Sequence, residues 1–314
     1  MSLIRRVIVA LLPVAAIAVV IAAVVALGGC ERDPSSRSGP VATGPAGAVQ
    51  QLIDDLHGND LAGYARHALP PALHARMETA WAEGRTIWPL TELPLDDRLP
   101  AFITALAAPG SETALLAAYN RQFAGADREL RSAASTLGLF AIQYVSSAEE
   151  YSEAERAHYT QLIAALSQWG RQAPLGDPAK ARAAVPRLVA AARLTGLAGG
   201  LETFRATGME RSLARLGPFF ARFKHVLRTY DLDLDQTLAG ARATLVEQTG
   251  NRARVALDYT IGGQPVSAVV HLERHDGRWY LTDLLRHARA AAGSLAPGGD
   301  GVPPAVEPPA LTAQ

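Results

Sequence analysis

Apolar positions recur at helical spacing from Ala48 to about Tyr230, and then the period changes to two. Val49, Leu52, Ile53 and Leu56 form the first stripe before Gly58-Asn59, and Leu61 and Tyr64 resume it behind Asp60 as an N-cap. Pro70-Pro71 opens a helix that runs toward Trp81 and stops at Gly84. Ser111, Ser147 and Ser152 stand as further N-caps, the last two with a Glu three residues on, as a capping box requires. Behind Ser152, the stripe Tyr159, Leu162, Ile163 and Leu166 ends at Gly170. Asp177-Pro178 starts another helix, in which Pro186 predicts a kink or break. The segment Trp88–Pro100, with its three prolines, reads as a surface loop.

Beyond Asp231, four short alternating runs predict strands over Ala243–Gln248, Ala253–Ile261, Val266–Arg274 and Arg278–Asp283. Thr249-Gly250-Asn251, Gly262-Gly263 and His275-Asp276-Gly277 supply the turns. Val255, Leu257, Tyr259 and Ile261 share a face with Val266, Ala268, Val270 and Leu272, and that face needs a helix to cover it. The fold class is α+β: a predominantly helical body followed by a C-terminal four-stranded antiparallel meander. The divisions are 1–29 a signal, 30–46 a flexible linker, 47–230 helical, 231–291 sheet, and 292–314 a disordered tail rich in Pro, Gly and Ala. The closing strand, DGRWYLTDLL, resembles the last strand of the nuclear-transport-factor-like superfamily. That resemblance implies a concave pocket and no particular activity.

The N-terminus changes the picture most. Arg5 and Arg6 precede an apolar run from Val7 to Leu27, the layout of a secretory signal. Leu27-Gly28-Gly29-Cys30 resembles the lipobox of bacterial lipoproteins, and Cys30 is the single cysteine of the chain. The resemblance implies cleavage between Gly29 and Cys30, acylation of Cys30 including an N-linked palmitate, and a mature protein fixed to the bilayer. Multiple acyl chains make such anchoring effectively permanent. In the same family an Asp after the cysteine favours the inner membrane, so Glu31 implies transfer to the outer membrane, facing the periplasm. The alternative is an uncleaved single-pass anchor in the inner membrane, because about 20 apolar residues suffice to span a bilayer. Pro13 interrupts the run.

Charge narrows the function classes. The chain has 30 basic and 30 acidic residues, so loss of Arg5 and Arg6 with the signal leaves a formal charge of −2. No nucleic-acid partner follows from that balance. A body without cysteine has neither disulfide nor thiol chemistry.

Candidate chemistry is sparse, and no catalytic residue, metal ligand or cofactor is assigned. Asp231, Asp233 and Asp235 alternate like the start of a calcium loop, but Gln236 replaces the required Gly and Arg242 the required Glu. The plainer reading is a polar connection in which Asp235 caps a turn. His67 and His74 straddle two prolines, and His275 sits in a turn beyond His271. Arg205, Arg211, Arg215, Arg222, Lys224 and Arg228 read as a solvated face whose core side carries Leu213, Leu216, Phe219, Phe220 and Phe223. Trp169 and Trp279 read as core, whereas Trp88 is the aromatic expected at an exposed contact. Trp88, Tyr259 and Val270 are the candidate ligand contacts. The sequence therefore points to a lipid-anchored envelope protein that binds or assembles with an envelope partner without catalysis. The alternatives are an anchored hydrolase, if Asp231, Asp233 or His225 converge in a cleft, and a small-ligand carrier using the sheet.

Overall fold

Prolines and polar caps set most of the helix starts. The computed structural model describes residues 44–92 and 98–293. Proline stands in the first turn of α1 (Pro45–His57), α3 (Pro71–Ala82), α4 (Leu99–Ala107) and α8 (Pro178–Thr195), where its missing N–H costs nothing. Asp60 caps α2 (Leu61–Ala68) by accepting from the Gly63 N–H at 2.7 Å. Ser152 and Glu155 form the expected reciprocal box at the head of α7 (Glu153–Gln172), with bonds of 3.2 and 2.7 Å. Asp177 caps α8, which continues through Pro186 as one helix. A 3₁₀ turn, Leu90–Glu92, follows Trp88.

Two expected caps fail for local reasons. Gly110, with φ of 72°, precedes α5 (Ser111–Gln122), and Ser111 turns its hydroxyl back to the Leu106 carbonyl at 2.6 Å. Ser147 is the last residue of α6 (Asp127–Ser147) and donates to the Gln143 carbonyl, while Glu150 accepts from the Tyr144 hydroxyl instead.

After α9 (Gly200–Thr207), α10 (Met209–Arg228) and α11 (Leu234–Gly240) come β1 (Arg242–Thr249), β2 (Arg252–Ile261), β3 (Gln264–His275) and β4 (Arg278–Leu281). They form an antiparallel sheet in the order β1-β2-β3-β4. Val255 pairs with Val270, Leu257 with Ala268 and Tyr259 with Val266, so the expected apolar face exists. It packs beneath α1, α7 and α11. The fourth strand is shorter than expected, because Asp283 lies in the first turn of α12 (Thr282–Ala291), which buries Leu285 and Ala288. Two boundaries also move inward: α1 begins inside the expected linker, and Ala292 and Gly293 of the expected tail accept from Arg85 and Arg76. One core runs through both halves, from Leu52, Trp81 and Phe204 to Val255, Leu257 and Trp279.

Candidate functional site

Glycine, alanine and serine bring α6 and α7 together. A Cβ on Gly138 would stand 2.5 Å from the Ser167 hydroxyl oxygen, and one on Gly170 would stand 3.1 Å from Ala134. The Ser167 hydroxyl donates to the Ala134 carbonyl at 3.1 Å. This seam, with buried Leu130 and Val145, turns one side of α6 to its neighbour. At about 100° per residue, Phe140 lies roughly 160° round the axis from Gly138.

The outer side of α6 is apolar. Leu137, Phe140 and Tyr144 follow at i, i+3 and i+7, and they are 43%, 69% and 60% exposed; Leu139 beside them is 71% exposed. From Ser132 to Ala148 the chain has no Asp, Glu, Lys, Arg or His. A single exposed leucine is ordinary, but several on one charge-free stretch of helix are the mark of an interaction surface. Covering a side chain of this size contributes about 1.5–3 kcal/mol.

A second feature is ionic and enclosed. His287 on α12 sits between two carboxylates, with Nδ1 2.7 Å from Glu92 Oε2 and Nε2 3.3 Å from Glu155 Oε1. Trp88 donates its indole N–H to Glu92 at 2.8 Å, and Arg286 pairs with both Glu155 and Asp283. Burial works against the His287 cation, but the Glu92 and Glu155 carboxylates outweigh it and raise its pKa. Burial raises Glu155, partly offset by the Ser152 backbone N–H. Tyr151, raised to about 12 by burial, and Tyr159, raised far above the usual phenol range by the same cause, stay neutral beside it. Both imidazole nitrogens are engaged, so neither is left to take a nucleophile's proton. The arrangement fastens α12 and the 3₁₀ turn to α7.

No protein-family model, curated protein or solved structure matches the chain.

Gly29 and Cys30 lie outside the described residues, as does the apolar run before them. Among the described residues no single helix is long and apolar enough to cross a membrane. Trp88 requires a correction: its exposure is 0%, because it is buried together with Pro89 and Leu90 and Glu92 takes the indole N–H. Tyr259 is buried under α7 with its hydroxyl 2.8 Å from His158 Nε2, and Val270 is half-buried against the same core. Trp169 and Trp279 are buried as expected.

The acidic string divides its labour. Asp233, not Asp235, caps α11 by accepting from the Gln236 N–H at 3.0 Å. Asp235 pairs with Lys224, which corrects the solvated reading of that lysine: it is buried, donates to the Leu56 and His57 carbonyls at 3.3 and 3.0 Å, and satisfies the end of α1. His225 meets Arg228 and Arg187 at 2.9 and 3.4 Å, and Asp231 is exposed, so the hydrolase set is not assembled. No cluster of His, Cys, Asp and Glu suited to a metal ion occurs among the described residues.

Sequence reasoning passed over both the α6 face and the ionic cluster. The charge-free run from Ser132 to Ala148 was the available signal for the first. Glu92, Glu155 and His287 share no local spacing and meet only through the fold.

Proposed function

We propose that this chain is a lipid-anchored envelope protein, held through an acylated Cys30, and that it acts as a non-catalytic binding or assembly component by docking a partner on the outer side of α6. The observation that carries this reading is the exposed row of Leu137, Phe140 and Tyr144 on the charge-free stretch of α6 from Ser132 onward. A row at this spacing matches how amphipathic helices engage apolar grooves or other helices. The ionic cluster favours a binding role over a hydrolytic one, since both His287 nitrogens face carboxylates. The carrier reading gains nothing at Tyr259, whose hydroxyl is already paired with His158.

The test is cross-linking in the native membrane followed by purification of the chain, with Phe140→Asp and Cys30→Ala as comparisons. A protein recovered with the parent chain and lost with Phe140→Asp supports docking through α6. Retention in the membrane fraction that depends on Cys30 supports the anchor. An identical set of cross-linked species from parent and Phe140→Asp chains removes the docking reading.

A further inference from the structure

We infer that the occupant of the α6 face is a second copy of this chain, packed helix against helix about a twofold axis near Phe140. The inference rests on reading α6 as a docking surface and names what docks there.

Size is the first argument. Aromatic side chains bury about 150–250 Å² each, so the exposed parts of Phe140 and Tyr144, with Leu137 and Leu139, offer roughly 500 Å² per copy. Two such faces together bury about 1,000 Å², which reaches the lower bound for a specific interface.

Charge is the second. In a twofold contact the same patch meets itself, so any charged residue near the axis faces its own like charge. Ser132–Ala148 contains no charged residue, and the polar positions between its apolar ones are Ser, Thr and Gln. A face shaped for a different protein has no such restriction and commonly uses charges to select its partner. A helix lying on an anionic bilayer carries Lys or Arg along its polar flanks, and this stretch has neither.

Geometry is the third. The α6 helix is joined to the body chiefly through α7, on the side of Gly138, so the opposite side is open along the helix. Antiparallel crossing at Phe140 sets Leu137 and Tyr144 of one copy beside Tyr144 and Leu137 of the other. Membrane tethering would favour this pairing by raising the effective concentration of the copies.

Cys30 is the only cysteine, so the double variant Cys30→Ser, Phe140→Cys carries a single thiol at the proposed axis. The full-length variant, solubilised in mild detergent and oxidised, is expected to form a disulfide-linked dimer. Cys30→Ser, Leu194→Cys, whose thiol replaces an 86% exposed residue elsewhere, should remain monomeric. In sedimentation, the Cys30→Ser chain should dimerise with at least a tenfold lower dissociation constant than Cys30→Ser, Phe140→Asp at unchanged thermal stability. Monomers throughout, with no cross-link at position 140, overturn the second copy as occupant. If Phe140→Asp then still loses a different protein from the membrane cross-links, docking through α6 stands without the dimer; if it loses none, both fall.

Discussion

His158 Nε2 and the Tyr259 hydroxyl lie 2.8 Å apart beneath the sheet, and this bond ties α7 to β2. Burial holds the imidazole neutral, lowering its pKa from 6.5 to about 4. The unfolded chain takes up a proton near 6.5 that the folded chain refuses. The contribution is therefore complete above 6.5 and is lost as pH falls toward about 4, at up to about 1.4 kcal/mol per pH unit. Denaturant titrations between pH 7 and 4 should show this slope in the parent and a shallower one in His158→Phe, Tyr259→Phe, which removes both polar groups together.

His287 runs the other way. Its raised pKa means that the stability it contributes is full below 6.5 and is lost as pH rises through the folded value. The groups facing it are Glu92 from the 3₁₀ turn, Glu155 from α7, and Arg286 and Asp283 from its own helix. Hydrogen exchange of α12, corrected for intrinsic rates, should quicken between pH 6 and 9 relative to α1. In His287→Gln the pH dependence should disappear and α12 should exchange faster throughout.

Lys224 and Asp235 are unequal partners. The lysine is buried and the carboxylate half-exposed, with burial lowering the lysine's pKa and Asp235 opposing the shift. Asp235→Ala leaves a buried cation with two carbonyls, the Phe220 ring and the more distant Asp233 but no paired carboxylate, which should destabilise the fold by about 3 kcal/mol or more. Lys224→Met fills much of the same space without a charge and should cost less. Equal losses in chemical denaturation would show that the pair is not organised by burial.

Gly138 sets the separation of α6 and α7. Ala at this position places its Cβ 2.5 Å from the Ser167 hydroxyl oxygen, so Gly138→Ala should cost about 1–3 kcal/mol despite Ala's better helix propensity. Adding Ser167→Gly should recover most of that loss. A stabilising single substitution would contradict the close seam.

Much of the fold was legible because its signals are local. Asp60, Ser152 and Asp177 declare helix starts through bonds to neighbours a few residues away, and the alternation of Val255, Leu257 and Tyr259 specifies a strand with one covered face. What escaped depends on distant partners. Trp88 looked exposed because prolines surround it, yet the core and Glu92 receive it. Lys224 looked solvated within a basic stripe, yet its ammonium is required where α1 ends. Ser147 satisfied the capping pattern in sequence, but α6 ends there rather than a helix beginning. The α6 face was hidden for a different reason: its apolar row resembles a core stripe, and only the placement of α7 shows which side is left open.

The most direct measurement of the central claim is photo-cross-linking in living cells from an unnatural side chain at position 140, with position 144 as a second probe and exposed Arg252 on β2 as a control. Occupation of the α6 face predicts a discrete adduct from positions 140 and 144 and none from 252. Failure of positions 140 and 144 to form any protein adduct, under conditions where the chain is folded and membrane-associated, would contradict the account.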